Sequence, residues 1–569
     1  MLTNTLLLED DEGMKVITLI KLFLFTSIAF AQNWDKDFEV LTPRENIYEL
    51  SSDDFNRVVE EGKKIALFYP VTISDLLIPY QPLKTFFEAD QQDPVRKLLF
   101  DLAKVVSPFK NMNEVYTWLG VHQFPRDVQT QTPNQLPDLT PIERELPMGA
   151  TLIKTENGTG LTFGCAACHA ADLFGVKVLG LTNRFPRANE FFRNGKQLAP
   201  YVDSFLFKTI LGTTEGERIM MVQAKKATKW VGTKKPQALG LDTSLAQVAL
   251  SLARREQDDY ATRTNQSAKS PRPNQLETLI ADSKPAVWWN VKYKNRWLSD
   301  GSIVSGNPVH TNFLWNEIGR GTDLHKLESW LTNSHDKIKA LTAAVFATKA
   351  PRFEKFFGVE SINIQKAIRG EKHFIQSCQK CHGVYEKAWN SPEANSLSPE
   401  QLIQTTKITY HKKTPVIDVG TDPGRYLGMN EFADELNRLK ISKTLNAVVA
   451  PQKGYVPPPL EGIWARYPYM HNNSIPSLCE LLKVREKRVK SYWAVKAENK
   501  ERDFDQDCIG YPKEDEIPQN LKRDPDYFFN TAKEGLSNMG HDKKILIKDG
   551  IEVFSEEDKA ELIEFLKTL

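Results

Sequence analysis

The stretch LTFGCAACHAADLFG, residues 161–175, sets Cys165 and Cys168 three apart and places His169 directly after the second thiol. The chain repeats the arrangement in GEKHFIQSCQKCHGVY, residues 370–385, with Cys378, Cys381 and His382. Residues i and i+3 share one face of a helical turn. Two thiols so placed can form thioethers to the two vinyl groups on one porphyrin edge, and the adjacent histidine then reaches the iron. Cys-x-x-Cys-His is the attachment signature of c-type haem. A zinc site shared by the two pairs would also use paired cysteines, but it needs no histidine after each pair. The pairs also lie roughly two hundred residues apart. A thioredoxin-like dithiol follows a strand and opens a helix within a βαβ unit, and no such pattern surrounds either motif. The expectation is two covalently bound haem c groups, with His169 and His382 as proximal iron ligands.

Haem c is attached after export, and the N-terminus carries an export signature. From Met14 the chain reads MKVITLIKLFLFTSIAFAQNWD, with Lys15 and Lys21, an apolar run, and a small-x-small site at Ala29-Phe30-Ala31. Residues 1–31 are therefore expected to be an export signal cleaved before Gln32. The acidic MLTNTLLLEDDEG before Met14 fits a signal badly, so Met14 is the expected start. The apolar run is short and interrupted by Lys21, which speaks against a permanent membrane span. The expected destination is the periplasm or the cell exterior. With 569 residues and net charge +1, the chain is long enough for more than one domain. That balance gives no reason to expect nucleic acid as a partner. Of six cysteines, Cys479 and Cys508 lie outside the motifs. In an exported chain they are expected to pair, closing a loop of about thirty residues that contributes roughly 3–4 kcal/mol.

The expected fold is mainly α: two cytochrome c-like haem domains with long loops and an extra N-terminal helical region. Residues 32–150 form the N-terminal helical and loop region, residues 151–350 the first haem domain, and residues 351–569 the second. In the second unit, SINIQKAIRGEKHFIQSCQKCHG reads as a helix leading into the motif, with Gly370 one turn from Phe374. Glycine there permits a close helix crossing. The expected partner is the last helix, SEEDKAELIEFLKTL, opened by a capping-box variant at Ser555 and Asp558. Ser398, Pro399 and Gln401 mark another helix start.

A strong sixth ligand makes a haem an electron carrier, whereas an open position admits dioxygen or peroxide. Candidates for the second haem are Met429, Met470, His471, Met539 and His541. For the first they are Met220, Met221, His310, His325 and His335, with His310 in SGNPVHTNFLW the best placed.

The two motifs, followed by GIWARYPYMHNNSIPSL (462–478) and LSNMGH (536–541) before a terminal helix, resemble the diheme rubber oxygenases. Those enzymes lie within the wider diheme cytochrome c peroxidase and MauG-like superfamily. The resemblance covers roughly residues 150–569. It implies that His169 holds the oxygen-binding haem, and that His382 and His541 are the two axial ligands of the other. It places His471 near the haems and Trp288 or Trp289 beside the active one. In that family the first haem binds dioxygen and inserts both atoms across a double bond of polyisoprene. This chain departs from the pattern at Asn473, where glycine is usual. It also has Ser302, Ile303 and Val304 where a distal aromatic is usual, with Phe313 as a possible substitute.

Three functions compete. A dioxygen-dependent enzyme acting on an apolar alkene, small or polymeric, needs a dry pocket, for which Trp288, Trp289, Trp297, Phe313 and Trp315 are candidates. A peroxidase or MauG-like oxidant needs a polar acid/base group, for which His310, Asp300 and Glu317 are candidates. A plain electron carrier needs both irons six-coordinate. Each reading allows a redox partner protein.

Overall fold

The computed structural model describes residues 44–88, 109–125, 136–137, 139–201, 211–543 and 545–569. The expected export signal lies outside them. The helices that place the sites are α1 (Ser52–Leu67), α2 (Ser244–Leu252), α3 (Pro308–Gly319), α4 (His335–Ala347), α5 (Ile364–Ser377) and α6 (Glu556–Lys567). The strands around the first motif are β1 (Ile78–Pro79), β2 (Ala150–Thr155), β3 (Gly158–Phe163), β4 (Ala170–Leu173) and β5 (Val176–Leu179).

The chain is helix-rich, as the mainly α expectation has it, but mixed, with short strands that the sequence reading does not anticipate. The glycine-rich run before the first motif is a hairpin: β2 pairs β3 with Ala150 opposite Phe163, and β1 adds to the far edge of β3. The sequence hid this sheet because its strands are short and β2 alternates only in part between buried and exposed residues. A second hairpin follows His169 at once, joining β4 to β5 through Phe174 and Gly175, both at positive φ. Every pairing here is antiparallel, so neither flank forms a βαβ unit.

Capping sets where the helices begin. The Asn307 side chain accepts from the Val309 N–H, with Pro308 at the first helical position of α3. Ser555 and Asp558 form the expected capping box of α6, and Ser398 with Gln401 forms another at the short helix Pro399–Leu402. The expected crossing of α5 and α6 is present. A Cβ at Gly370 would lie 2.0 Å from the Glu561 carbonyl oxygen, so only glycine lets the backbones approach. Phe374, one turn on, packs 5.1 Å from Phe565. Gly62 plays the same part where α1 meets α4, with Ala340 O 2.0 Å from its would-be Cβ. The N-terminal region is thereby docked onto the first half.

Among the described residues two large apolar cores result, beside a smaller cluster around Tyr116 and Phe163. One gathers Leu67, Leu245, Phe313 and Leu341 with Met429 and Leu445. The other gathers Phe374, Trp464 and Leu562 with Leu173 and Trp289. Each core draws residues from both sides of position 350. Among the described residues no helix is long and apolar enough to cross a membrane.

Cys479 and Cys508 form a disulfide across 29 positions. It ties the helical turn Leu478–Leu481 to the Cys508 loop. Replacing both cysteines by serine should lower the unfolding free energy by about 3–4 kcal/mol. Urea unfolding of the double variant against the parent checks this, and coincident midpoints would count against it.

Candidate haem-binding sites

The second motif opens on a cleft with a cavity of about 250 Å³. Cys378, Cys381, His382, Met470, His471 and His541 all line it. His382 Nδ1 lies 2.7 Å from the Pro458 carbonyl, a bond that fixes the ring and leaves Nε2 as the free nitrogen. Across the cleft stands His541, its ring centroid 6.3 Å from that of His382. A metal between two imidazoles needs about 2 Å for each metal–nitrogen bond and about 1 Å from each nitrogen to its ring centre, about 6 Å in all. Burial pushes His382 down to about 4 and His541 to about 3, so both are neutral imidazoles with a lone pair to give.

The loop that carries His541 is held from three sides. The His541 N–H donates to the Val419 carbonyl at 2.9 Å. Arg488 donates to the Asn538 and Gly540 carbonyls, each at 2.7 Å. Asn472 donates to the Gly535 and Ser537 carbonyls, each at 3.0 Å. His541 itself sits at φ 57, a conformation that needs such support. Asn473 also lies in the left-handed region, at φ 60. Asparagine is among the few residues that tolerate it, which explains how it can stand in a glycine position.

Of the other candidates, Met470 and His471 also line the cleft, whereas Met429 and Met539 do not. His471 is in the wall, stacked 3.9 Å from Tyr455. Met429 is buried in the first core, and Met539 is 39% exposed.

The first motif lines a cleft with a cavity of about 290 Å³, with Cys165, Cys168 and His169 in its wall. A backbone chain positions its tryptophan. The Gly180 N–H donates to the His169 carbonyl at 2.7 Å, and the Trp288 N–H donates to the Gly180 carbonyl at 2.9 Å. Gly180 is at φ 88, and a Cβ there would lie a tight 3.2 Å from the Trp288 Cβ, so glycine is favoured there. Trp288 thus lies 5.4 Å from His169. Burial pushes His169 down to about 4, against weaker opposing pulls from Asp242 and the Ala286 carbonyl. It also pushes the Cys165 and Cys168 thiols up to about 11 and about 12. Arg320 pulls both the other way, but burial outweighs it, so the thiols are not activated as in a redox dithiol.

Among the described residues lining this cleft, His169 is the only histidine and there is no methionine. The expected partners lie elsewhere. His325 is exposed and stacks on Tyr260 at 3.5 Å, and His335, Met220 and Met221 do not line the cleft. His310 is on the wrong face of α3. That helix turns Val309, Asn312, Phe313 and Asn316 to the cleft, so His310, Leu314 and Glu317 point away. Glu317 is instead fully buried, accepting from the Tyr69 and Thr322 hydroxyls. Asp300 is buried outside the cleft as well. Trp289 turns away from Trp288 into the second core, where its indole N–H donates to the Glu461 carbonyl at 2.9 Å. Only Trp288 of that pair belongs to the first site.

Several lining residues escaped the sequence reading. Tyr69 comes from the N-terminal region, with the Arg320 guanidinium 4.1 Å over its ring. Gln247 and the Asn312–Asn316 pair, bonded at 2.9 Å, add amides. No motif marks them. For Gln247, Asn312 and Asn316 the exposure to the cleft follows from helix phase, and Tyr69 lies just after α1.

The two clefts share one wall. Lys284, Ala286, Val287, Lys294 and Leu298 line both. A zinc site joining the cysteine pairs is excluded among the described residues. The one group of three or more clustered histidine, cysteine or carboxylate ligands is His373, Asp558 and Glu561, elsewhere on the surface of α5 and α6. Paired thiols beside a neutral imidazole in an apolar cleft fit covalent haem at both motifs.

Comparison with known proteins agrees with that donor set. Residues 454–494 match a family model described as RoxA-like, cytochrome c-like. This segment supplies the Pro458 carbonyl behind His382, and Asn472 and Arg488 that hold the His541 loop. Two proteins of Sinorhizobium fredii (strain NBRC 101917 / NGR234) are similar to the chain. The uncharacterized protein y4iJ is 25% identical over 489 residues, 72% of this chain and 76% of that protein. The uncharacterized protein y4iM is 23% identical over 219 residues, 36% of this chain and 49% of that protein. The matched segment supports a RoxA-like c-type cytochrome, with covalently bound haem c.

Proposed function

We propose that the chain is an exported diheme c-type cytochrome oxidoreductase, active in the periplasm or outside the cell. In this reading the site of His169 carries out dioxygen-dependent oxidation of an apolar alkene such as polyisoprene. The site of His382 and His541 handles electrons, exchanged in turn with a redox partner protein. The observation that carries the reading is the asymmetry of the clefts: His541 faces His382 at 6.3 Å, while among the described residues no second histidine or methionine lines the cleft of His169. Haem c bound there would supply electron exchange where two imidazoles close the iron, and dioxygen binding where one axial position stays free.

The chain's own residues supply the rest. Trp288 packs against the His169 ring and limits its rotation. Trp297, Ile303, Val309, Phe313 and Trp315 make an apolar wall that favours an alkene over a polar substrate. Phe313 is fixed between Tyr69 at 5.8 Å and Trp330 at 5.5 Å. Asn312 and Asn316 present amides, which hydrogen-bond but do not exchange protons near neutral pH. The three acid/base candidates of the peroxidase reading, His310, Asp300 and Glu317, all lie outside this cleft, which favours the dioxygen reading.

Carbon monoxide titration of the reduced protein tests the asymmetry. One molecule bound per chain carrying two haems by mass is expected. None bound makes the protein a carrier. Incubation with polyisoprene under oxygen should then give carbonyl-ended fragments. Rapid turnover of peroxide with a reduced donor, and no fragments, would instead establish a peroxidase.

A further inference from the structure

The wall between the clefts is charged in a way that the protein alone does not balance. Lys294 is 5% exposed and lines both clefts, and its ammonium makes no hydrogen bond or ion pair among the described residues. Lys284 also lines both, its ammonium held by the Arg466 and Pro468 carbonyls. Arg466 lines the second cleft, with one guanidinium N–H donated to the Pro459 carbonyl at 2.7 Å. Among the described residues no aspartate or glutamate lines the second cleft, and Asp242 alone lines the first. Asp242 is already taken by the Asn189 amide and the Ser244 N–H. One buried and two half-buried cations without a carboxylate are costly, since a buried charge needs a partner or neutralises. Burial, with Arg466 as the second cause, pushes Lys294 down to about 8, the mark of a cation still lacking its anion.

We propose that Lys294, Lys284 and Arg466 form a carboxylate-binding site shared by the two clefts, and that it takes the propionate carboxylates of the porphyrins attached on either side. The inference rests on the diheme reading. Its particular content is the sharing: two lysines that line both clefts serve both groups. The charge of one side chain then sets two reduction potentials at once. Removing it leaves a carboxylate uncompensated near each iron, which favours the more positive ferric state and lowers both potentials.

Spectroelectrochemical titration of Lys294→Met, with haem content read by mass, tests this. Both midpoints should fall, each by about tenfold in the reduced-to-oxidised ratio at fixed potential, or about 59 mV. Lys294→Arg, which keeps the charge, should leave both near the parent values. Should K294M not be recovered with both haems, Lys284→Met and Arg466→Gln are titrated instead. K284M should again lower both midpoints, and R466Q only that of the His382 and His541 centre. Unchanged midpoints in variants carrying both haems overturn the carboxylate site. A fall confined to one centre in K294M, or in its stand-in K284M, overturns the sharing. A parent protein short of two haems by mass overturns the diheme reading itself, a failure distinct from either.

Discussion

Replacing His541 by alanine should raise the carbon monoxide bound by the reduced protein from one molecule per chain to two. The ring of His541 is the group across from His382, and its loop is built to keep it there, by Arg488, Asn472 and the Val419 carbonyl. Alanine removes the imidazole and leaves those backbone bonds in place, so the second cleft should open without collapsing. The oxidised spectrum should change from low spin to mixed spin, and electron supply to the first site should fall with it. His541→Met should close the site again at a higher potential, as methionine does in other cytochromes c. A stoichiometry that stays at one in H541A would mean that another lining group, Met470 foremost, is the true partner of His382.

Gly370→Ala should be among the most damaging single-methyl changes in the chain. The added carbon would fall 2.0 Å from the Glu561 carbonyl oxygen and 2.5 Å from its carbon, and backbone on both sides cannot step aside. Helices α5 and α6 must separate, which loosens Phe374 against Phe565 and shifts the turn that carries Cys378. Overpacking commonly costs about 1–3 kcal/mol, and a backbone clash at a helix crossing belongs at or above the top of that range. Gly195 is the control. It lies inside the helix Ala188–Leu198 with nothing within 4 Å of its would-be Cβ. There the same substitution should stabilise by up to about 1 kcal/mol through helix propensity. Denaturant unfolding of G370A and G195A side by side decides it, and equal midpoints would refute the crossing argument.

What could be read beforehand was whatever depends on neighbours along the chain. The attachment motifs, the capping boxes at Ser398 and Ser555, and the small residue at Gly370 are local signals. Pairing His541 with the second motif came from resemblance, since no spacing rule joins positions 382 and 541. The hairpin of β2 and β3 was hidden because its strands are six residues long and only partly alternating. His310 faces away because a helix has two sides: seven of its neighbours on α3 line the cleft, and a rotation of one residue decides which. Tyr69 was invisible because nothing nearby in sequence shows that α1 docks on α4. Lys284 and Lys294 did leave a trace, as cations inside the aromatic run KPAVWWNVKYK.

The interleaving of the two interiors bears on how such a molecule can be altered over generations. Leu173 and Trp289 belong to the inside of the later half, and Met429 and Leu445 to the inside of the earlier one. A cassette exchange at position 350 would strip each half of side chains that the other segment supplies. Recombination between relatives should therefore be productive only when both segments travel together. New specificities have to come from small changes on the exposed face of α3.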